Sequence, residues 1–187
     1  MKLDDIDART RELATRLGIA PPQLQEGPVA AWVAEGVRAL PQPEQTVLVV
    51  GPAFGELTPA EQEAGLASAM VIAELYRRGK RTPLVAAGLV TVAAGAAGFA
   101  FAEPKWLVVL GLAVLFPVSF VLAQALWLRG IAYGHDRRLA EVFGRDTPEL
   151  LLELNARNKH EIRGILRAYL TVANPSRSSR SKRLRAV

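Results

Sequence analysis

The chain has 187 residues, no cysteine, and 23 lysines and arginines against 18 acids, for a net charge of +5. The missing thiols exclude disulfides, thiolate metal sites and a cysteine nucleophile. The excess charge sits at one end, because Arg177, Arg180, Lys182, Arg183 and Arg185 fall in residues 176–187 with no acid among them. The rest of the chain balances, so a basic nucleic-acid-binding body is excluded and nucleic acid is not an expected partner.

In chain order, Asp4 to Leu17 predicts an amphipathic helix with Ile6, Leu13 and Leu17 on its apolar side and Gly18 as its cap. Pro21-Pro22 forces an extended exit. Residues 23–40 fit more than one reading: Val29 to Val33 suits a short strand with Trp32 packed, and Ala30 to Leu40 suits a helix equally well. Thr46 to Val50 is the clearest strand, β-branched and bounded by Pro43 and Gly51-Pro52. A helix over 57–80 follows, with Thr58 as N-cap, Pro59 at the first helical position and Glu61 placed for a capping box. It ends in the cations Arg77, Arg78, Lys80 and Arg81.

Two uncharged stretches come next, Pro83 to Ala102 and Trp106 to Leu128. At about 20 residues or more, each is long enough to cross a bilayer as a helix. Glu103-Pro104-Lys105 leaves room only for a tight hairpin. Ala87, Thr91 and Gly95 form a ridge of small residues suited to close helix approach. Pro117 and Ser119 mark a kink, and Gln124 is the strongly polar residue of the second span. Cations flank the hairpin on both outer sides, with Arg129, Arg137 and Arg138 following it, so both termini are expected in the cytoplasm and the protein in the plasma (inner) membrane. Ile131 to Phe143 then reads as a helix closed by Gly144. A further helix begins at Asp146-Thr147-Pro148 and runs to about residue 170, with a break near Asn155. The tail, rich in serine and arginine, is expected to be disordered. The domain reading is thus 1–81 as a cytoplasmic N-terminal half, 82–128 as the hairpin, 129–174 as a cytoplasmic helical half, and 175–187 as tail.

LATRLGIAPPQ, TVLVVGPAFGELTPAEQEAGLAS, IAYGHDRRLAEVFG and DTPELLLELNARN, in that order and split by a membrane hairpin, resemble the membrane zinc metallopeptidases of the HtpX and CAAX-prenyl-protease type over roughly residues 10–160. The resemblance implies an α+β, mostly helical, metallopeptidase-like cytoplasmic domain interrupted by a two-helix transmembrane hairpin. In that family H-E-x-x-H on the first helix presents two histidines to one zinc, with the glutamate acting on the metal-bound water. Here the histidine positions hold Ser68 and Ile72, the base position holds Ala69, and the third ligand position holds Ala132. Tyr133 and Asp136 match the family pattern, Asp136 at the place of the carboxylate that orients a ligand from behind. No cofactor and no metal are therefore expected, and the implied protein is a pseudopeptidase.

His135 and His160 are the only histidines, and both read as interfacial or solvated side chains. Ser68, His135 and Asp136 are brought near one another by the implied fold. Adjacent residues on one helix point about 100° apart, however, so a catalytic triad is not expected. The functional expectation is a non-catalytic protein that binds, scaffolds or regulates a partner membrane protein or peptide in the former substrate groove, beside a free strand edge near residues 46–50. The alternatives are an accessory subunit of a membrane complex whose basic tail binds anionic lipid, and a residual hydrolase centred on His135.

Overall fold

The computed structural model describes residues 3–42, 45–158 and 173–185. It divides into two compact units: one gathers residues 1–78, 131–163 and 176–187, and the other gathers 79–130 and 164–175.

The first unit opens with α1 (Leu3–Leu17), one residue longer than the pattern predicts. Ile6, Leu13, Ala14 and Leu17 are buried on one side, and the Thr10 hydroxyl donates back to the Ile6 carbonyl at 2.7 Å. Gly18 ends the helix with φ +68°, a conformation that costs glycine nothing, and the Ile19 amide reaches back to the Ala14 carbonyl.

Residues 23–40 resolve the ambiguity differently from either expectation. Two short strands, β1 (Gln23–Glu26) and β2 (Val37–Pro41), flank β3 (Thr46–Val50) in the order β1-β3-β2. β1 runs parallel to β3, pairing Leu24 with Leu48, and β2 runs antiparallel, pairing Ala39 with Leu48. β3 is therefore the central strand, paired on both sides, with Val47 to Val50 buried. The free edge expected beside residues 46–50 belongs instead to β1 and β2. Trp32, expected to pack, is 63 % exposed; it lies in the turns between β1 and β2 that replace the helix. Gly36 closes those turns with φ +61°, and a Cβ there would stand 2.6 Å from the Phe54 amide nitrogen. Only glycine fits that approach.

A 3₁₀ segment (Pro52–Glu56) buries Phe54 and leads into α2 (Pro59–Gly79). The capping box is present: the Thr58 amide donates to Glu61 Oε2 at 2.9 Å, and the Glu61 amide donates to the Thr58 hydroxyl at 3.4 Å. From Ala64 to Val71 every residue of α2 is buried, so this helix is the axis of the core. Leu66 and Met70 pack in the same cluster as Leu48, Phe54, Leu139 and Leu151.

The second unit holds α3 (Thr82–Phe101) and the first part of α4 (Lys105–Phe143). These are two helices long and apolar enough to cross a membrane. The small-residue ridge lies where they meet. Ala87 and Gly95 are buried, a Cβ on Gly95 would stand 3.2 Å from Leu112, and one on Gly98 would stand 2.7 Å from Val108. α4 does not stop after the uncharged stretch but continues unbroken to Phe143. Gly130 alone costs about 1 kcal/mol in a helix interior, too little to break it between strong helix formers.

α5 (Asp146–Arg157) follows Gly144, whose φ is +88°. The expected continuation toward residue 170, with Ile162, Ile165, Leu166 and Tyr169, and the site of His160, lie outside the described residues. The last element contradicts the sequence reading. Residues expected to be disordered form α6 (Arg177–Leu184), capped by the Ser176 hydroxyl, which accepts from the Ser179 amide.

Candidate functional site

α2 and α4 bring Ser68 and His135 together within the first unit. Ser68 projects from the middle of α2, and its hydroxyl lies 3.0 Å from His135 Nε2. His135 Nδ1 lies 3.2 Å from Asp136 Oδ1. Asp136 in turn receives two hydrogen bonds from Arg180 of α6, one of them from Nε at 2.6 Å. Ser68, His135 and Asp136 are all buried. A carboxylate only accepts hydrogen bonds, so Nδ1 is the donor toward Asp136, and the Nε2 of a neutral ring then accepts from the Ser68 hydroxyl.

A separation of about 100° around α4 does not keep the His135 and Asp136 side chains apart. The argument from helical angles concerns Cβ directions, whereas a carboxylate and an imidazole are both long enough to turn toward one another beyond them.

Burial works to raise the Asp136 carboxyl, but the Arg180 and His135 hydrogen bonds and charges outweigh it, so its pKa lies below the ordinary carboxylate value. Glu61 is lowered too, first by the Thr58 amide and then by the Arg157 guanidinium that pairs with it. That contact ties the start of α2 to the end of α5.

Both ring nitrogens of His135 are committed, to Ser68 and to Asp136. The positions that the resemblance assigns to zinc ligands and to the base carry one hydroxyl, at Ser68, and the hydrocarbon side chains of Ile72, Ala132 and Ala69. This set does not fit a zinc ion, which takes imidazole, thiolate or carboxylate ligands. Among the described residues, no group of three or more His, Asp or Glu side chains is gathered to hold a metal.

Ser68, Ala69 and Ile72 face a cleft of about 360 Å³. Its opposite wall is β2, contributing Val37, Arg38 and Ala39, and Trp32 stands at the same cleft. Among the described residues β2 pairs only with β3 and so is an edge of the three-stranded sheet. Ala132 and Tyr133 lie on α4, half-buried.

Comparison with protein-family models, with curated proteins and with solved structures found no match.

The tail cations were expected to face lipid, and they divide. Arg180 has only 14 % of its side chain exposed, the Arg183 guanidinium lies 3.9 Å above the Tyr133 ring, and Arg177 pairs with Glu153 at 3.6 Å. Lys182 and Arg185 are exposed. Sequence reasoning missed Arg180 because a run of cations without acids looks like a solvated terminus. Two signals for a docked helix were present: Ser176 as an N-cap, and Leu184, which is buried one turn after Arg180.

Proposed function

We propose that the chain is a membrane-anchored pseudopeptidase that binds an extended segment of a partner membrane protein and does not cleave it. The observation that carries this reading is the cleft between the edge strand β2 and the buried middle of α2. An edge strand offers unpaired backbone N–H and C=O groups to an extended peptide, and pockets beside it take alternate side chains. Here those pockets are walled by Ala69, Ile72 and Val37, so the peptide presents apolar side chains to α2. In this reading the Ser68 hydroxyl, bonded to His135, is part of the floor of the groove, and Ala69 and Ile72 beside it offer no zinc ligand.

In this reading the first unit is the metallopeptidase-like cytoplasmic domain, and α3 with the first part of α4 is a two-span membrane hairpin. The flanks Arg77, Arg78, Lys80 and Arg81, with Arg129, Arg137 and Arg138, put both termini on the cytoplasmic side of the plasma membrane. The test is purification of the full chain from membranes, followed by metal analysis and peptide binding. The proposal expects negligible zinc, and apolar extended peptides that bind and remain intact. Stoichiometric zinc or cleaved peptide would overturn it.

A second reading, a hydrolase, is favoured by one observation, the run Ser68–His135–Asp136. It has the order of a nucleophile, base and orienting carboxylate. What it lacks is an oxyanion site: Ser68 sits in mid-helix, where the neighbouring amides are spent on helical hydrogen bonds. A fluorophosphonate probe separates the two readings. Labelling that Ser68→Ala abolishes would establish the hydrolase; an unlabelled wild type that binds peptide supports the pseudopeptidase.

A further inference from the structure

A second concavity, of about 400 Å³, lies between α4 and α6. Tyr133, Asp136, Arg137, Arg180 and Arg183 line it, and the three arginines meet two carboxylates, Asp136 in the lining and Glu141 beside Arg137. Each guanidinium is held by a different contact. Arg180 spends Nε and one terminal nitrogen on Asp136. Arg137 spends Nε on Glu141 at 2.8 Å. Arg183 lies over the Tyr133 ring, its guanidinium carbon 3.9 Å from the ring centroid.

Each of these arginines has N–H donors beyond the contact named for it, and planar guanidinium donors are the groups that read the oxygens of a phosphate. Three arginines against Asp136 and Glu141 leave one positive charge in excess. We propose that this cavity binds a phosphate group carried on an ester, with the arginine N–H groups taking its oxygens and Tyr133 bordering the organic part. The volume is in the range of small-ligand sites and exceeds what a bare phosphate needs. Tyr133 follows Leu128, the last residue of the uncharged stretch, by only five positions in the sequence. A phospholipid headgroup is thus one source of the ester, and a soluble phosphate ester is the other.

The experiment uses the full chain in phosphatidylcholine nanodiscs, titrated with glycerol 3-phosphate and followed by phosphorus NMR. A parallel arm uses nanodiscs that also contain phosphatidylglycerol, with native mass spectrometry counting the anionic lipid retained. Binding in the first arm identifies a soluble ester and retention in the second a headgroup, and either supports the site. Arg137 and Arg183 are both exposed, so the double variant Arg137→Gln/Arg183→Gln is expected to fold. It should weaken binding at least about tenfold, as expected for the loss of a charge-assisted hydrogen bond. Lys182→Gln removes an exposed cation of the same helix that does not line the cavity, and it should leave binding unchanged. No binding in either arm, a double variant that binds like the wild type, or an equal loss in Lys182→Gln would overturn the proposal; the last would reduce the effect to the net charge of the tail.

Discussion

Ala64 to Val71 on α2 and Leu84 to Val92 on α3 are similarly apolar stretches with opposite surroundings. On α2 every residue of the stretch is buried, packed in the same core as α1, β3, α4 and α5. On α3, Leu84, Val85, Leu89, Val90 and Val92 are exposed, Leu89 at 68 % and Val92 at 71 %. Apolar composition alone therefore does not say what an apolar helix is for. The capping box and the mixed charges around α2 belong to a helix that the chain covers itself. The uncharged sides of α3, whose buried residues include Ala87 and Gly95 on the ridge, belong to a helix long and apolar enough to cross a bilayer.

Truncation in each helix breaks the comparison most strongly. Leu66→Ala should lower the stability of the first unit by about 4 kcal/mol, the cost of a cavity in a closely packed core. Leu89→Ala should change it by less than about 0.5 kcal/mol, as at an uncovered position. Chemical denaturation of both variants in the same detergent checks the contrast, and similar losses would mean that α3 is a covered core helix. A charge sharpens it next. Val92→Lys, in the middle of α3, should disfavour insertion by about 3 kcal/mol, read as the inserted fraction in a glycosylation-based translocation assay.

Within the first unit, Arg180→Ala removes the partner of a buried carboxylate. It should cost about 3 kcal/mol, and the further change Asp136→Asn should restore much of the loss. The same pair predicts a pH dependence. Because the folded Asp136 carboxyl lies below its ordinary value of 3.8, its contribution is fully present above that pH and is lost as the pH falls toward the folded value. A pH titration of stability should therefore show an acid loss in the wild type that Arg180→Ala/Asp136→Asn lacks. The smallest effect is at the start of α2, where Thr58→Ala should cost about 1 kcal/mol by removing the cap.

The elements that were legible in the sequence are those whose signals are local. Gly18 and the period of Ile6, Leu13 and Leu17 mark α1, the β-branched run marks β3, and Thr58-Pro59 with Glu61 marks α2. β1 was hidden because Gln23-Leu24-Gln25-Glu26 has one apolar side chain, as an edge strand needs only one. β2 was hidden because it owes its conformation to β3 and to the turn at Gly36. α6 was hidden for a stronger reason: an eight-residue helix of serines and cations has little intrinsic stability. What sustains it is tertiary, namely Arg180 on Asp136, Arg183 on Tyr133, and the buried Leu184. At the site, the nearness of Ser68 and His135 was legible through the order of the motifs. The His135–Asp136 hydrogen bond depends on how the two side chains turn beyond Cβ, which helical angles do not fix, and nothing local announced Arg180.

The central claim is that the cleft between β2 and α2 holds an extended peptide without cutting it. Its most direct test is a photo-crosslinking amino acid at Ala39, on the cleft wall, in the full chain in native membranes, with the crosslinked segment sequenced by mass spectrometry. The account predicts a single apolar segment of a membrane protein, joined through an uncleaved stretch of its chain and lost when Ala69→Trp fills the cleft. Crosslinks that persist in Ala69→Trp, or that carry a newly cut terminus beside Ala39, would contradict it.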